Sequence, residues 1–152
     1  MKPQPIPSEI HPSTRHENIQ PRGILVPLIT PLLAQDELDA NGLERLIEHV
    51  IAGGVYGIFI LGTTGEGTSL SFRLRLELIE HTCRQANHRV PVFVGITDTS
   101  MDESTRLAHH AEQAGADAVV LSTPYYYPLT QSELLHYTRT VVSQVSLPVF
   151  LY

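Results

Sequence analysis

The fold is constrained most by a regular alternation of short apolar segments and amphipathic segments, which repeats about every 30 residues. The apolar segments are rich in β-branched residues and lie at 24–29, 58–61, 92–96, 118–121 and 149–152. Near-continuous apolar strands that alternate with helices predict a parallel sheet whose two faces are both covered. A doubly wound sheet and a (β/α)8 barrel both satisfy this pattern, so the pattern alone leaves the two architectures open.

Four stripes of apolar residues at helical spacing predict the helices between these strands. Gly53 and Gly115 follow the first and third stripes as typical helix stops, Ser71 precedes the second as a typical N-cap, and Gln131 opens the fourth. The side chains that we expect to face the core are Leu43, Leu46, Ile47, Val50 and Ile51; Phe72, Leu76, Ile79 and Cys83; Leu107, Ala108, Ala111 and Ala114; and Leu134, Thr138, Val141 and Val145. The expected order is five strands separated by four helices.

The first 21 residues differ from the rest of the chain. They hold five of the 11 prolines, mixed with Ser, His, Glu, Asn and Gln. Such a composition cannot bury enough apolar surface to order the backbone. We therefore expect an irregular arm over residues 1–21, outside the core, and one α/β unit over residues 22–152.

Composition excludes several classes of function. A net charge of -6 argues against nucleic acid and against an anionic membrane as partners. The apolar runs are too short to span a bilayer and the start lacks the hydrophobic stretch of a signal peptide, so we expect a cytoplasmic protein. The single cysteine, Cys83, lies at an apolar helical position and is expected to be a buried structural thiol. The eight histidines are scattered, and we expect neither a metal site nor a cofactor.

The segment 62–67, Gly-Thr-Thr-Gly-Glu-Gly, follows directly on the apolar run 57–61 and reads as a glycine-rich turn into a helix. Its glycines would let the backbone approach a ligand, and Thr63 and Thr64 would offer amide N–H groups and hydroxyls. Donors gathered near a helix start suit a small carboxylate or another oxyanion. Glu66 is expected to accept hydrogen bonds from the turn. A tight turn without a ligand is the alternative, and neither a Walker loop nor a dinucleotide fingerprint is matched.

In both candidate architectures, ligands bind at the carboxyl ends of the strands. The polar segments that would gather there are Thr30-Pro31, 62–67, Thr97-Asp98-Thr99, 123–127 and Tyr152. Tyr152 and Thr63 could form a hydroxyl relay across this edge of the sheet, and the three tyrosines 125–127 would place phenols at a pocket rim or a subunit contact. Aromatic packing on a loop and an exposed terminal tyrosine are the plainer alternatives.

Taken together, these motifs resemble the dihydrodipicolinate synthase / N-acetylneuraminate lyase family of class I, Schiff-base aldolases. The resemblance covers residues 23–152 and rests on five segments in order. They are Gly-Ile-Leu-Val-Pro-Leu-Ile-Thr-Pro at 23–31, Gly-Thr-Thr-Gly-Glu at 62–66, Ala-Gly-Ala-Asp-Ala at 114–118, Thr-Pro-Tyr-Tyr at 123–126 and Leu-Pro-Val-Phe-Leu-Tyr at 147–152.

The resemblance implies a (β/α)8 TIM barrel, of which this chain holds the first five strands and four helices, and a homotetramer built from tight dimers. It implies that Thr63 and Thr64 bind the carboxylate of pyruvate or a related 2-oxo acid. It also implies a proton relay of Thr63, Tyr152 and a dimer partner's Tyr126. The family's catalytic lysine forms an imine at the end of the sixth strand. Because the only lysine here is Lys2, we expect the N-terminal part of an aldolase, inactive alone.

Two departures from the family pattern bear on the second substrate. The loop 95–100 reads Gly-Ile-Thr-Asp-Thr-Ser where dihydrodipicolinate synthases carry a smaller Gly/Ala/Asn-type loop, and Tyr127 replaces a frequent Asn. The segment 126–128 is closer to sialic acid lyases and related sugar-acid aldolases. Two other interpretations compete with the lyase or synthase. One is a non-catalytic barrel homologue with a binding or assembly role, and the other is a flavodoxin-like doubly wound domain that binds an anion at 62–67.

Overall fold

A computed structural model describes Ile19 and residues 21–152. Its elements are β1 (Leu25–Pro27), β2 (Leu32–Ala34), β3 (Glu37–Leu38), α1 (Ala40–Ala52), β4 (Gly57–Ile60), a 3-10 helix (Gly67–Ser69), α2 (Phe72–Ala86), β5 (Val92–Gly95), α3 (Met101–Ala114), β6 (Ala118–Leu121), α4 (Gln131–Val142) and β7 (Val149–Leu151). All five expected strands and all four expected helices are present, with strand ends shifted by at most two residues. The expected arm lies outside the described residues, except that Ile19 packs against the core and Pro21 is exposed.

The main sheet is parallel and its strands follow one another in the order β1-β4-β5-β6-β7. The paired residues include Leu25 with Gly57, Ile58 with Val92, Phe93 with Ala118, and Val119 with Val149. A doubly wound sheet reverses its strand order at a switch point, whereas a (β/α)8 barrel does not. The flavodoxin-like interpretation is therefore wrong, and the sheet is part of a TIM barrel.

Alternate residues of the strands face two separate apolar clusters. The larger cluster lies between the sheet and the helices and takes Ile58 and Ile60 from β4. The smaller cluster takes Phe93 from β5 and packs it against Phe59 and Phe150, with no residue from α1–α4 among the described members. Successive helices also pack on one another, so the helices occupy one face. The second face is the inner surface of the barrel, covered by side chains of the strands themselves.

The helix ends follow local capping rules. Ser71 is the N-cap of α2 and its hydroxyl accepts from the Leu74 N–H at 3.2 Å, as expected. Gly115 ends α3 with φ 89°, a left-handed conformation that glycine adopts without strain. At α4 the cap is Thr130, which forms a reciprocal capping box with Glu133. The N-caps Ser71 and Thr130 fix where α2 and α4 begin, and hence where the loops that follow β4 and β6 end.

Two features depart from the sequence expectations. An antiparallel hairpin, β2 with β3, lies between β1 and α1, where only a strand exit was expected. On α2 the buried face includes Leu74, Arg75 and Leu78, whereas Phe72 and Leu76 are half-buried at its border. Ile79 and Cys83, the other two residues of the expected stripe, are buried as predicted. In the described part of the chain, no helix is both long and apolar enough to cross a membrane.

Candidate functional site at the carboxyl end of the sheet

The turn after β4 is built by close contacts of its own backbone. Leu61 adopts φ 60°, and a Cβ on Gly67 would lie 2.3 Å from the Leu61 carbonyl oxygen. A Cβ on Gly95, at the end of β5, would lie 2.5 Å from the same oxygen, and one on Gly65 would lie 2.9 Å from the Leu28 carbonyl oxygen. Glycines 65 and 67 are thus required for packing of the chain on itself. This packing role was not identified from the sequence, and the expectation that the glycines let the backbone approach a ligand stays a prediction.

Thr63 and Thr64 lie exposed at the tip of this turn. The turn is closed by the Glu66 N–H, which donates to the Thr63 carbonyl oxygen at 3.1 Å, and by the Gly67 N–H, which donates to the Gly62 carbonyl oxygen at 3.2 Å. Within the described residues, neither the amide N–H nor the hydroxyl of Thr63 or Thr64 has a hydrogen-bond partner. The two residues therefore present four donor groups to solvent or to an oxyanion.

Glu66 does not have the role expected from the sequence. Its backbone is left-handed, with φ 52°, and its exposed side chain faces the cavity beside the turn. In the described part of the chain its carboxylate accepts no hydrogen bond from the turn. The expectation for this side chain was wrong: the turn is closed by two backbone hydrogen bonds, those of the Glu66 and Gly67 N–H groups, and the carboxylate takes part in neither.

Two cavities meet at Thr63 and Tyr152, which line both of them. The larger cavity, about 460 Å³, has walls from the turn and from the exits of β5 and β6. Hydroxyl groups are frequent in its wall: those of Thr63, Thr68, Ser69, Thr97, Ser122, Thr123, Tyr125 and Tyr152. The smaller cavity, about 290 Å³, lies on the inner face and includes Thr64. The structure thus brings together Thr63, Thr64 and Tyr152, as the sequence indicated.

Tyr152 follows β7, and its N–H donates to the Leu121 carbonyl oxygen at 3.0 Å, which extends the pairing of β7 with β6. Its ring packs against Phe59, with ring centroids 6.5 Å apart. The side chain is otherwise 81% exposed. It is therefore held by backbone pairing and one aromatic contact rather than enclosed.

Tyr126 lies outside both cavities of its own chain. It has φ 86°, is 82% exposed, and stacks edge-on against Tyr127 with ring centroids 4.7 Å apart. Tyr125, by contrast, lines the larger cavity and also a third one of about 490 Å³ on the outer surface beside α4. Within one chain, the structure does not bring Tyr126 to Thr63 and Tyr152.

A buried ion pair that the sequence analysis missed lies behind the larger cavity. Nη1 of Arg75 donates to Oδ2 of Asp98 at 2.7 Å, and both side chains are largely buried. Burial alone would raise the pKa of the Asp98 carboxyl. Hydrogen bonds from the Ser100 N–H and from Arg75 lower it by more than burial raises it, so the pKa lies below its usual value. The available signal was an arginine within the apolar stripe of α2.

Cys83 is buried, as expected. Burial, together with the nearby charge of Asp117, raises the pKa of its thiol to about 12. A neutral thiol in an apolar site does not act as a nucleophile at neutral pH. Among the described residues, no group of three His, Cys, Asp or Glu side chains could hold a metal ion.

Comparison with known proteins places this geometry in a family. The model of the dihydrodipicolinate synthetase family matches residues 20–152. The chain belongs to this family. It is 40% identical over 130 residues to 4-hydroxy-tetrahydrodipicolinate synthase from Acidiphilium cryptum, covering 86% of this chain and 44% of that protein.

Solved structures of family members have the same fold. The chain aligns with dihydrodipicolinate synthase from Bacteroides thetaiotaomicron at a TM-score of 0.85 and 55% identity, covering 89% of this chain and 45% of that one. It aligns with YagE from E. coli K12, solved in complex with pyruvate, at a TM-score of 0.83 and 38% identity. This alignment covers 86% of this chain and 44% of YagE. The chain thus spans less than half the length of these relatives.

Proposed function

We propose that this chain supplies the carboxylate-binding turn and the hydroxyl relay of a class I lyase or synthase. The enzyme would form or cleave a carbon–carbon bond through a lysine imine of pyruvate or a related 2-oxo acid. The observation that carries the proposal is the meeting of Thr63, Thr64 and Tyr152 at the cavities beside the sheet's carboxyl end. The pyruvate bound to YagE supports the choice of substrate.

The turn suits a carboxylate for a physical reason. A carboxylate is acceptor-only, and the free N–H groups and hydroxyls of Thr63 and Thr64 are donors that need no rearrangement to bind it. Because the turn is fixed by its own backbone bonds and by Gly67 against Leu61, these donors are preorganised. In this proposal the carboxylate lies against the tip of the turn and its 2-oxo carbon points into the cavity.

The relay needs groups that can both donate and accept a proton, and the hydroxyls of Thr63 and Tyr152 do so. The third member in this proposal is Tyr126 of a second copy of the chain, in a tight dimer that pairs again to form a homotetramer. Its position supports this, because the side chain is 82% exposed and lines neither cavity of its own chain, so it is accessible to a second copy. Leu129, also exposed, lines the outer cavity together with Tyr125 and Tyr127, the two residues that flank Tyr126 in the sequence.

The imine would form on a lysine outside these residues, since Lys2 is the only lysine in the sequence. An imine acts as an electron sink for the carbanion that forms when the carbon–carbon bond is made or broken. In this proposal, residues of this chain bind the substrate and transfer the proton. The lysine comes from the part of the enzyme that corresponds to the remaining length of its relatives.

The test is borohydride trapping with pyruvate, read by intact mass and by peptide mapping. The full-length protein that contains this chain should gain one reduced adduct per subunit, on a lysine other than Lys2. The 152-residue chain should gain none. A full-length protein without an adduct, or an adduct on Lys2, would contradict the proposal.

A further inference from the structure

We propose that Arg75 is a positioning residue that holds the half of the larger cavity facing the second substrate. This inference rests on the proposed function, because it assigns a role to one wall of the same site. Arg75 itself does not line the cavity, so it acts through the backbone that it binds.

The guanidinium of Arg75 joins two segments that are separate in sequence. On one side, its Nε donates to the Leu70 carbonyl oxygen at 3.1 Å and its Nη2 to the Thr68 carbonyl oxygen at 3.4 Å. On the other side, its Nη1 donates to Asp98 at 2.7 Å. The 3-10 segment after the turn is thereby tied to the loop at the exit of β5.

Asp98 is itself fixed from three directions. Its Oδ1 accepts from the Ser100 N–H at 3.0 Å and from the Thr99 hydroxyl at 3.3 Å. Its own N–H donates to Oγ of Ser104 at 3.2 Å, and that buried hydroxyl lies 3.4 Å from the hydroxyl of Tyr137. The Arg75–Asp98 pair therefore links the 3-10 segment to α3 and α4, and these hydrogen bonds restrict the movement of both side chains.

The two segments form only part of the site. Thr68, Ser69 and Thr97 line the larger cavity and not the smaller one. Thr64 lines the smaller cavity and not the larger one. The 2-oxo acid turn is closed by its own backbone bonds, whereas the wall beyond it depends on Arg75. The pair therefore sets the width of the space in which the second carbonyl substrate must lie.

Because Arg75 supports only the larger cavity's wall, a substitution of Arg75 should affect the two substrates differently. Arg75→Lys keeps the charge but cannot make all three hydrogen bonds, because an ammonium is a single donor centre without the guanidinium's planar fork. We expect the KM for the aldehyde to rise roughly tenfold or more, as misplacement of a cavity wall commonly costs. The pyruvate concentration for half-maximal trapping and the rate of hydrogen–deuterium exchange at the pyruvate methyl group should stay within about twofold.

The experiment uses the full-length protein and the aldehyde that turns over fastest among short hydroxyaldehydes and aspartate semialdehyde. Rates are normalised to the active sites counted by borohydride trapping, so a loss of folded protein does not imitate the effect. Arg73→Gln is the matched control, because Arg73 lies on the same helix but is exposed and bonds to Glu77 and Asp36. The control variant should leave unchanged both the KM for the aldehyde and the pyruvate concentration for half-maximal trapping.

The double variant Arg75→Met/Asp98→Asn keeps the test decisive if Arg75→Lys does not fold, since it leaves no buried charge unpaired. It should show the same selective rise in KM. Three results would overturn the proposal. They are an unchanged KM for the aldehyde, an equal rise in the pyruvate concentration for half-maximal trapping, and failure of both variants to fold. Absence of trapping in the unaltered protein would instead contradict the proposed function.

Discussion

The hydroxyl of Thr30 donates a 2.7 Å hydrogen bond to the carbonyl oxygen of Gly65. The two residues are 35 positions apart, and the bond is partly buried. It joins the exit of β1 to the turn that carries Thr63 and Thr64. The geometry of the turn is therefore set by the first strand as well as by its own sequence.

Thr30→Val should loosen this turn, because it removes the donor while keeping the shape of the side chain. The expected cost is about 1 kcal/mol in the free energy of unfolding, a typical value for one partly buried hydrogen bond. The pyruvate concentration for half-maximal trapping should rise when the same substitution is made in the full-length protein. Thr30→Ser, which keeps the hydroxyl, is the control and should retain the unaltered affinity. Equal affinities in all three proteins would show that the bond does not position the turn.

Gly67→Ala should be strongly destabilising, because its Cβ would lie 2.3 Å from the Leu61 carbonyl oxygen and the backbone would have to move. Overpacking of this kind costs about 1–3 kcal/mol and occasionally more. Gly53→Ala is the matched control, since Gly53 ends α1 with φ -71° and has no contact this close. Chemical denaturation of both variants measures the difference. A Gly67→Ala protein as stable as the control would contradict the described packing.

In the full-length protein, Thr63→Val should still form the imine with pyruvate but should exchange the pyruvate methyl hydrogens slowly, because a relay hydroxyl is lost while the backbone N–H groups remain. General acid–base groups contribute roughly 100- to 10,000-fold in rate. Deuterium exchange followed by NMR and borohydride trapping separate the two steps. Thr63→Ser should keep most of the exchange rate. Loss of trapping together with exchange would assign Thr63 to binding alone.

Full-length Tyr126→Phe and Tyr152→Phe subunits, each inactive alone, should regain part of their activity when mixed. A hybrid dimer keeps one site with both tyrosines if Tyr126 enters the neighbour's cavity. Subunit exchange is verified by native mass spectrometry before the rate is measured. No recovery after verified exchange would mean that Tyr126 acts in its own chain or does not act.

Cys83 should reduce stability at alkaline pH. Burial raises the pKa of the folded thiol to about 12, whereas the ordinary pKa of an accessible thiol is 9.0. Between these values only the unfolded state releases the proton, so the free energy of unfolding should fall by about 1.4 kcal/mol per pH unit more than in Cys83→Ala. Denaturant titrations of both proteins at several pH values measure the slopes. Parallel slopes would show that the thiol is not protected by burial.

Local signals explain which parts of the fold were predictable. Ser71 and Gly115 act within one helical turn, so their sequence neighbourhood suffices to identify them. The hairpin of β2 and β3 was not predictable, because strands of three and two residues carry too little periodicity. The choice between two architectures depended on strand order, which only the folded sheet reveals.

The residues of the candidate site were also predictable from the sequence only in part. Thr63 and Tyr152 follow strands directly, so the rule that strand exits share one edge brought them together. The role of Gly67 could not be read from the sequence, because its constraint is the Leu61 carbonyl oxygen in a left-handed residue. Arg75 was missed because its burial depends on Asp98, 23 positions away. The Tyr126 role stays a prediction, since it requires a second chain.

The consecutive order of strands in the main sheet bears on how the protein is made. Each strand of the main sheet pairs with the main-sheet strand that precedes it in the sequence, and each pairing closes a loop of about 25 to 35 residues. A nascent chain that leaves the ribosome can therefore add one strand–helix unit at a time to a sheet that is already formed. Assembly in the order of translation would leave one unpaired strand edge at every step.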